Sequence, residues 1–283
     1  MIAVTGATGQ LGQLVLKHLT NTTDAGTVVA LARNPDKAQL LKELGIEVRE
    51  ADYSKPETLT SALTGVKKLL LISSSEVGQR FAQHKNVIDA AKSAGVELIA
   101  YTSLLHADTS PLQLAEEHIQ TEDYLKETNV PHTILRNGWY TENYLASIAP
   151  ALANGAFIGS AQEGKISSAA REDYAEAAAV VLTSDEDQSG KVYELSGDES
   201  YTLAELCQII SEETGKTVPY VDMPEAEFAK ALEGAGLPTP LAAMLADSDV
   251  GASKGGLFDD SHTISKLTGH PTKELRELVK AFI

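Results

Sequence analysis

Three glycines, Gly6, Gly9 and Gly12, stand three residues apart in "VTGATGQLG", directly after the apolar run "IAV". Between a strand and a helix, such glycines let a backbone approach a pyrophosphate, whose charge then meets the helix N-terminus. Glycines there can also serve close packing alone, so the context decides. Here a strand runs into the turn and a helix carrying Leu11, Leu14, Val15 and Leu19 follows it. The pattern predicts a dinucleotide site.

Where the second strand ends, "ALARNPDK" places Arg33 where an NAD site holds a carboxylate for the ribose 2′-hydroxyl, about twenty residues after the glycines. A guanidinium cannot accept from that hydroxyl but pairs readily with a 2′-phosphate, which points to NADP rather than NAD. Three more strand ends carry polar groups. Asp52 in "ADYS" offers an acceptor for the adenine amino group, and Ser73, Ser74 and Ser75 in "SSSEVG" are small hydroxyls suited to a ribose. "RNGWYTENY" sets Asn137 and Gly138 toward a nicotinamide, with Tyr140 and Asn143 facing a substrate. Polar groups at several carboxyl ends of one parallel sheet converge on one crevice.

Short-chain dehydrogenases reduce carbonyls with a tyrosine and a lysine four residues apart, the lysine lowering the phenol's pKa for proton exchange. None of the nine tyrosines has a lysine four residues on. The helix that should carry such a pair reads "LAEEHIQTEDYL" and puts His118 and Glu122 at that spacing, a pair better read as a surface or cofactor-side contact than as an acid. Neither a CxxC nor an HxxxH occurs, so no metal site is expected. The single cysteine, Cys207, sits in the apolar helical pattern "LAELCQIISEE" and reads as core.

These residues need a frame, and the apolar runs supply it. "IAVT" (2–5), "TVVALA" (27–32), "IEVRE" (46–50), "KLLLIS" (68–73), "ELIAYTS" (97–103) and "HTILR" (132–136) alternate with helical stretches. Continuous rather than alternating apolar strands imply burial on both faces. Six such units predict an α/β fold with a Rossmann-type, doubly wound parallel sheet over residues 1–140. In one connecting helix, "QRFAQHKNVIDAAKSAG", Phe81, Val87, Ile88, Ala91 and Ala94 lie near one face and Gly95 forms the C-terminal cap. Beyond residue 140 the rhythm breaks, and the short strands "AFIG", "KVYEL" and "TVPYVD" mix with helices such as "AREDYAEAAAVVL". That composition predicts a smaller C-terminal α+β substrate lobe over 141–283, with some chain returning to the sheet.

Composition narrows the partners. Lys and Arg number 23 against 40 Asp and Glu, a net charge of -17, and no basic run exceeds Lys67 and Lys68. Such a surface repels nucleic acid and anionic lipid, so neither is an expected partner. The 43% hydrophobic content over 283 residues is ample for a core. No apolar run approaches the ~18 residues of a membrane span. The first strand begins at Ile2, leaving no room for a signal peptide, so a cytoplasmic place is expected. Self-association into a homo-oligomer stays open.

Longer phrases carry a resemblance. "VTGATGQLG", "ARNPDKA", "KLLLISSSEVGQR", "IAYTSLLHADTSPL", "LRNGWYTENYLAS" and "LADSDVGASKGGLFDD" resemble the zinc-independent bacterial NAD(P)H:quinone oxidoreductases of the NmrA-like, atypical short-chain dehydrogenase group. The similarity runs from residue 1 to the C-terminus. It implies NADPH, preferred over NADH, as reductant, a quinone as substrate, and two-electron reduction to the quinol without a metal. It further implies cofactor contacts from Gly6, Ala7, Thr8, Gly9, Gln10 and Leu11, from Arg33, and from Ser73 to Ser75. Asn137, Gly138, Trp139, Tyr140, Thr141, Glu142 and, in "SSAAREDYA", Arg171 complete that set. A quinone becomes aromatic on accepting hydride, so positioning and one hydrogen bond to its oxygen suffice without a strong acid. Asn143 is the expected donor of that bond, with Ser75, His84 and Tyr140 as substrate-pocket walls. Triphenylmethane dye reductases look similar in the first half. An alternative stays open, because NmrA-like proteins that bind NADP(H) as non-catalytic redox sensors share the fold and also lack the Tyr–Lys pair.

Overall fold

The six apolar runs become parallel strands of one sheet: β1 (Ile2–Val4), β2 (Val28–Ala32), β3 (Glu47–Glu50), β4 (Lys68–Leu71), β5 (Leu98–Leu104) and β6 (His132–Asn137). Between them run α1 (Gln10–Thr22), α2 (Gln39–Glu43), α3 (Pro56–Ala62), α4 (Arg80–Ala94) and α5 (Ala115–Thr128). The computed structural model describes residues 1–283. Strand order β3-β2-β1-β4-β5-β6 is that of a doubly wound Rossmann sheet, whose order reverses between β1 and β4.

After residue 140 come α6 (Thr141–Leu145), α7 (Ile148–Asn154), β7 (Phe157–Gly159), α8 (Arg171–Thr183) and β8 (Val192–Leu195). They are followed by α9 (Leu203–Thr214), β9 (Tyr220–Asp222), α10 (Glu225–Gly234), α11 (Thr239–Ser253), α12 (Thr263–Thr268) and α13 (Leu275–Phe282). Two of these elements belong to the sheet rather than to the lobe. β8, the run "KVYEL" expected in the lobe, pairs in parallel with β6 in the register Ile134↔Val192 and makes a seventh strand. Its pattern identifies a strand without saying which sheet receives it. Helix α8 packs against α1 beneath the same sheet. Only β7 and β9 form the lobe's separate two-stranded sheet.

Strand alternation sorts the core into two layers. Val4, Ala30, Leu70, Ala100 and Leu135 face α1 and α8, whereas Ala3, Val29, Leu69, Leu71, Ile99, Tyr101 and Ile134 face α3, α4 and α5. A third cluster, with Trp139, Tyr144, Phe157, Leu206, Cys207 and Val279, fills the lobe. Helix α4 ends at Gly95 in the left-handed conformation (φ 73°), the position where glycine escapes the Cβ penalty. Val87, Ile88 and Ala91 are buried as read, but Phe81 and Ala94 are only half buried. Arg80, Gln83 and His84 hold the buried N-terminal part of that face instead. No helix is long and apolar enough to cross a membrane.

Candidate functional site

The turn from β1 into α1 builds the floor of the site. Gly6 adopts φ +57°, a conformation that favours glycine, and a Cβ on Gly12 would overlap the Gly6 carbonyl, so helix and strand can approach only without side chains. No side chain caps α1, and the amides of Gln10, Leu11 and Gly12 have no protein acceptor. Three orphan donors at the positive end of a helix dipole form an anion cradle, which fits a pyrophosphate. Gly6, Thr8, Gly9, Gln10, Leu11 and Gly12 all line one cleft of about 550 Å³. Ala7 does not; it is fully buried, with its amide donated to the Leu31 carbonyl at 3.2 Å.

The ends of β2 and β3 form the rim. Arg33 is 72% exposed, and its Nη1 donates to Glu76 Oε1 at 2.9 Å across the mouth of the cleft. Asp52 lines the cleft and accepts from the Ser54 amide at 3.0 Å, an Asx turn that fixes its carboxylate. Tyr53, beside it, places its hydroxyl 2.6 Å from Thr5 Oγ1 and 2.7 Å from the Ile72 carbonyl, tying β1, β3 and β4 together beneath the ligand space. Burial pushes the Tyr53 phenol upward, so it stays protonated.

Ser73, Ser74 and Ser75 line the cleft together, but Ser74 is built differently from its neighbours. Its amide donates to His84 Nε2 at 2.8 Å, its carbonyl accepts from Arg80 Nε, and its hydroxyl donates to Gln83 Oε1. The first two turns of α4 thus clamp all three polar groups of one loop residue. Glu117 of α5 anchors that helix end by accepting from the Gly78 (3.0 Å) and Arg80 (2.9 Å) amides. Arg80 and Gln83 themselves line the cleft, and the Arg80 Nη1 atom is buried without a partner. Sequence reasoning missed both residues because it sought an apolar face.

At the opposite wall, Arg171 at the start of α8 organises the residues that follow β6. Its guanidinium lies 4.5 Å over the Tyr140 ring, its Nη2 donates to Asn143 Oδ1 at 2.8 Å, and its Nη1 is 3.4 Å from Glu142. Glu142 also accepts from the Arg171 amide at 2.9 Å, capping α8 from outside. Tyr140 and Arg171 line the cleft directly, and the Arg171 guanidinium holds Asn143 and Glu142 beside it. Asn137 is buried, and its Oδ1 has no partner, an orphan acceptor at the carboxyl end of β6. A carboxamide donor would satisfy it.

Several expected residues lie elsewhere. His84 is not a substrate wall: it is fully buried, with Nε2 on the Ser74 amide and Nδ1 3.0 Å from Thr121 Oγ1. Burial and the nearby Arg80 charge hold its pKa down at about 3, so the ring is a neutral structural acceptor. Gly138 packs where a Cβ would meet the Tyr174 hydroxyl at 3.0 Å and the Leu195 carbonyl at 3.1 Å, a close-packing role. Trp139 belongs to the lobe core, and Thr141 is buried with its hydroxyl 2.8 Å from Ser168 Oγ. His118 and Glu122 are also buried. His118 Nδ1 lies 2.8 Å from the Tyr101 hydroxyl, and Glu122 accepts from Ser103 Oγ (2.6 Å) and from Arg136 Nε (3.0 Å) and Nη2 (2.8 Å). Neither reaches the cleft.

A second cleft of about 560 Å³ lies in the lobe, between α9 and β9, and holds none of the expected residues. Cys207 borders it, but burial pushes that thiol up to about 12, which makes it a poor nucleophile. No group of three or more His, Cys, Asp or Glu side chains is arranged to hold a metal ion.

With this geometry in place, comparison with known proteins is direct. The model of the NmrA-like family matches residues 1–281. Quinone oxidoreductase 2 of Escherichia coli (strain K12) is 62% identical over 279 residues, which is 99% of this chain and 97% of that protein. The crystal structure of the Escherichia coli NADPH-dependent quinone oxidoreductase complexed with NADPH superimposes with a TM-score of 0.97 at 61% identity, covering 99% of each chain. The Citrobacter sp. triphenylmethane reductase complexed with NADP(H) matches with a TM-score of 0.95 at 40% identity over 100% of each chain. Similarity to dye reductases therefore extends through both halves.

Proposed function

The chain belongs to the NmrA-like family, and from that premise we propose that it is an NADPH-dependent oxidoreductase that reduces quinones to quinols. The observation that carries this reading is the uncapped, glycine-built start of α1 facing Arg33 across one cleft. It is supported by 62% identity, across nearly the whole chain, to a quinone oxidoreductase.

When bound, NADPH supplies a hydride at its nicotinamide. The chain's own residues bind and orient. The amides of Gln10, Leu11 and Gly12 hold the pyrophosphate, and Arg33 pairs with the 2′-phosphate. Asp52 accepts from the adenine, Ser73 and Ser75 line a ribose, and the orphan Asn137 Oδ1 accepts from the carboxamide. Arg171 stacks on Tyr140 and holds Asn143 by its Oδ1, which leaves the Asn143 Nδ2 donor for the quinone oxygen. Hydride addition to a quinone gives an aromatic, stabilised phenolate, and the single proton that completes the quinol arrives from solvent. No positioned strong acid is needed, in keeping with the missing Tyr–Lys spacing. We assign no metal to the reaction, neither nucleic acid nor membrane as partner for a chain of net charge -17, and a reducing cytoplasm as its place.

Rapid mixing of the protein with NADPH and a small quinone tests the reading. Oxidation of the nicotinamide well above the uncatalysed background is the expected result. Tight NADPH binding with no oxidation would overturn catalysis and leave a redox sensor.

A further inference from the structure

Beside Arg33 stands a carboxylate that the sequence places far away. The residue that directly follows β2 is Arg33 rather than an acid, yet Glu76, 43 residues along the chain, reaches Arg33 Nη1 at 2.9 Å from the loop after β4. Two contacts aim it there. Its Oε2 accepts from Gln83 Nε2 at 2.7 Å, and its amide donates to Ser74 Oγ at 3.1 Å, so the clamp on Ser74 also orients Glu76. The outward side of the pair is open, with Arg33 72% and Glu76 47% exposed. An ion pair that exposed is worth little and exchanges readily for a ligand contact.

A guanidinium and a carboxylate side by side at a ribose 2′-position offer opposite things. The cation suits a phosphate dianion, and the carboxylate suits a hydroxyl donor, which is the role of the acid that ends β2 in NAD sites. The same carboxylate repels a phosphate placed on its partner. Resting on the cofactor reading above, we infer that Glu76 is the second half of the cofactor-selecting site: it accepts the 2′-hydroxyl of NADH and opposes the 2′-phosphate of NADPH. The Arg33–Glu76 pair thus admits both nucleotides and sets the ratio of their affinities. Arg33 alone makes the site appear specific for NADPH; with Glu76 beside it, the preference is tempered.

Calorimetric titration with NADPH and with NADH, without a quinone, reads this directly. Glu76→Gln keeps the side-chain shape and stands on an exposed loop, so the fold is retained. It should weaken NADH roughly tenfold, the loss of one hydrogen bond to a charged group, and tighten NADPH several-fold. The gain for NADPH should shrink as salt rises, because an exposed repulsion is screened. Arg33→Ala should do the reverse, weakening NADPH while NADH holds or tightens. Equal changes for both nucleotides in Glu76→Gln, or an unchanged NADH affinity, would overturn the role of Glu76. Failure of the unaltered protein to bind NADPH would instead overturn the cofactor reading on which it rests.

Discussion

Arg171 donates from Nη2 to Asn143 Oδ1 at 2.8 Å, and this bond decides which way the amide points. With its oxygen engaged, Asn143 presents Nδ2 as a donor. Glu142 and the Tyr140 ring hold the guanidinium from two other sides, so its position is over-determined. A helix-start arginine, an aromatic ring and an amide thereby act as one unit, with Arg171 as the positioning residue.

Removing the donor should therefore separate chemistry from cofactor binding. Asn143→Ala is expected to lower kcat for quinones roughly 10- to 100-fold, the cost of losing one hydrogen bond to a charged group. NADPH affinity should stay within about twofold, because the Asn143 donor is assigned to the quinone oxygen and not to the nucleotide. Steady-state kinetics paired with NADPH titration checks this, and an unchanged kcat would remove Asn143 from the reaction.

His118 and Glu122 should matter to folding and little to turnover. Glu122 and Arg136 form a buried pair, with Glu194 (2.8 Å) and Asp108 (3.0 Å) also on the guanidinium. Deleting one partner of a buried pair costs about 3–5 kcal/mol, and the two remaining carboxylates put Glu122→Ala at about 3 kcal/mol. Urea unfolding should record that loss. Quinone turnover of the folded fraction should change less than about tenfold, against the 10²–10⁴-fold that a general acid contributes.

Much of the frame was readable because the strands are apolar on both faces. Leu69, Leu70 and Leu71 divide between two cores, which is the physical content of a continuous run. The glycine cradle and Arg33 were readable because their spacing is local. What escaped was long-range or polar. Glu76 meets Arg33 from 43 residues away, and no local pattern pairs them. Arg80, Gln83 and His84 fill a buried helix face because Ser74 supplies three groups to satisfy them, and an apolar periodicity cannot register that. His84 accordingly looked like a site residue and is a structural one.

Acid sensitivity should trace partly to that histidine. Burial and Arg80 depress His84 from 6.5 to about 3 in the fold, so between those values the unfolded chain takes up a proton that the native protein refuses. Its contribution is present above about pH 6.5 and is lost as pH falls, at about 1.4 kcal/mol per unit. His118, depressed by burial as well, acts in the same direction. Asp249 opposes them: burial raises it from 3.8 to about 6, so it favours the fold as pH falls through that range. His84→Gln should flatten the decline between about pH 6.5 and 4.5 by up to about 3 kcal/mol in urea unfolding. A slope equal to that of the unaltered protein would contradict this.

Chelators should leave quinone reduction untouched. Hydride donation from a nicotinamide requires no Lewis acid, and no His, Cys, Asp and Glu cluster is arranged for a metal. Turnover lost in EDTA and restored by zinc would refute metal independence.

Single-turnover hydride transfer from saturating NADPH, to a small quinone in one experiment and a simple ketone in another, is the most direct test. A ketone becomes a basic alkoxide and needs a proton delivered in the same step, whereas a quinone becomes a stabilised phenolate. Transfer to the quinone should run far above background, transfer to the ketone should stay near it, and His118→Ala should alter neither by more than about tenfold. Ketone reduction at a rate comparable with quinone reduction, abolished by His118→Ala, would contradict a reaction driven by positioning alone and would make His118 the acid.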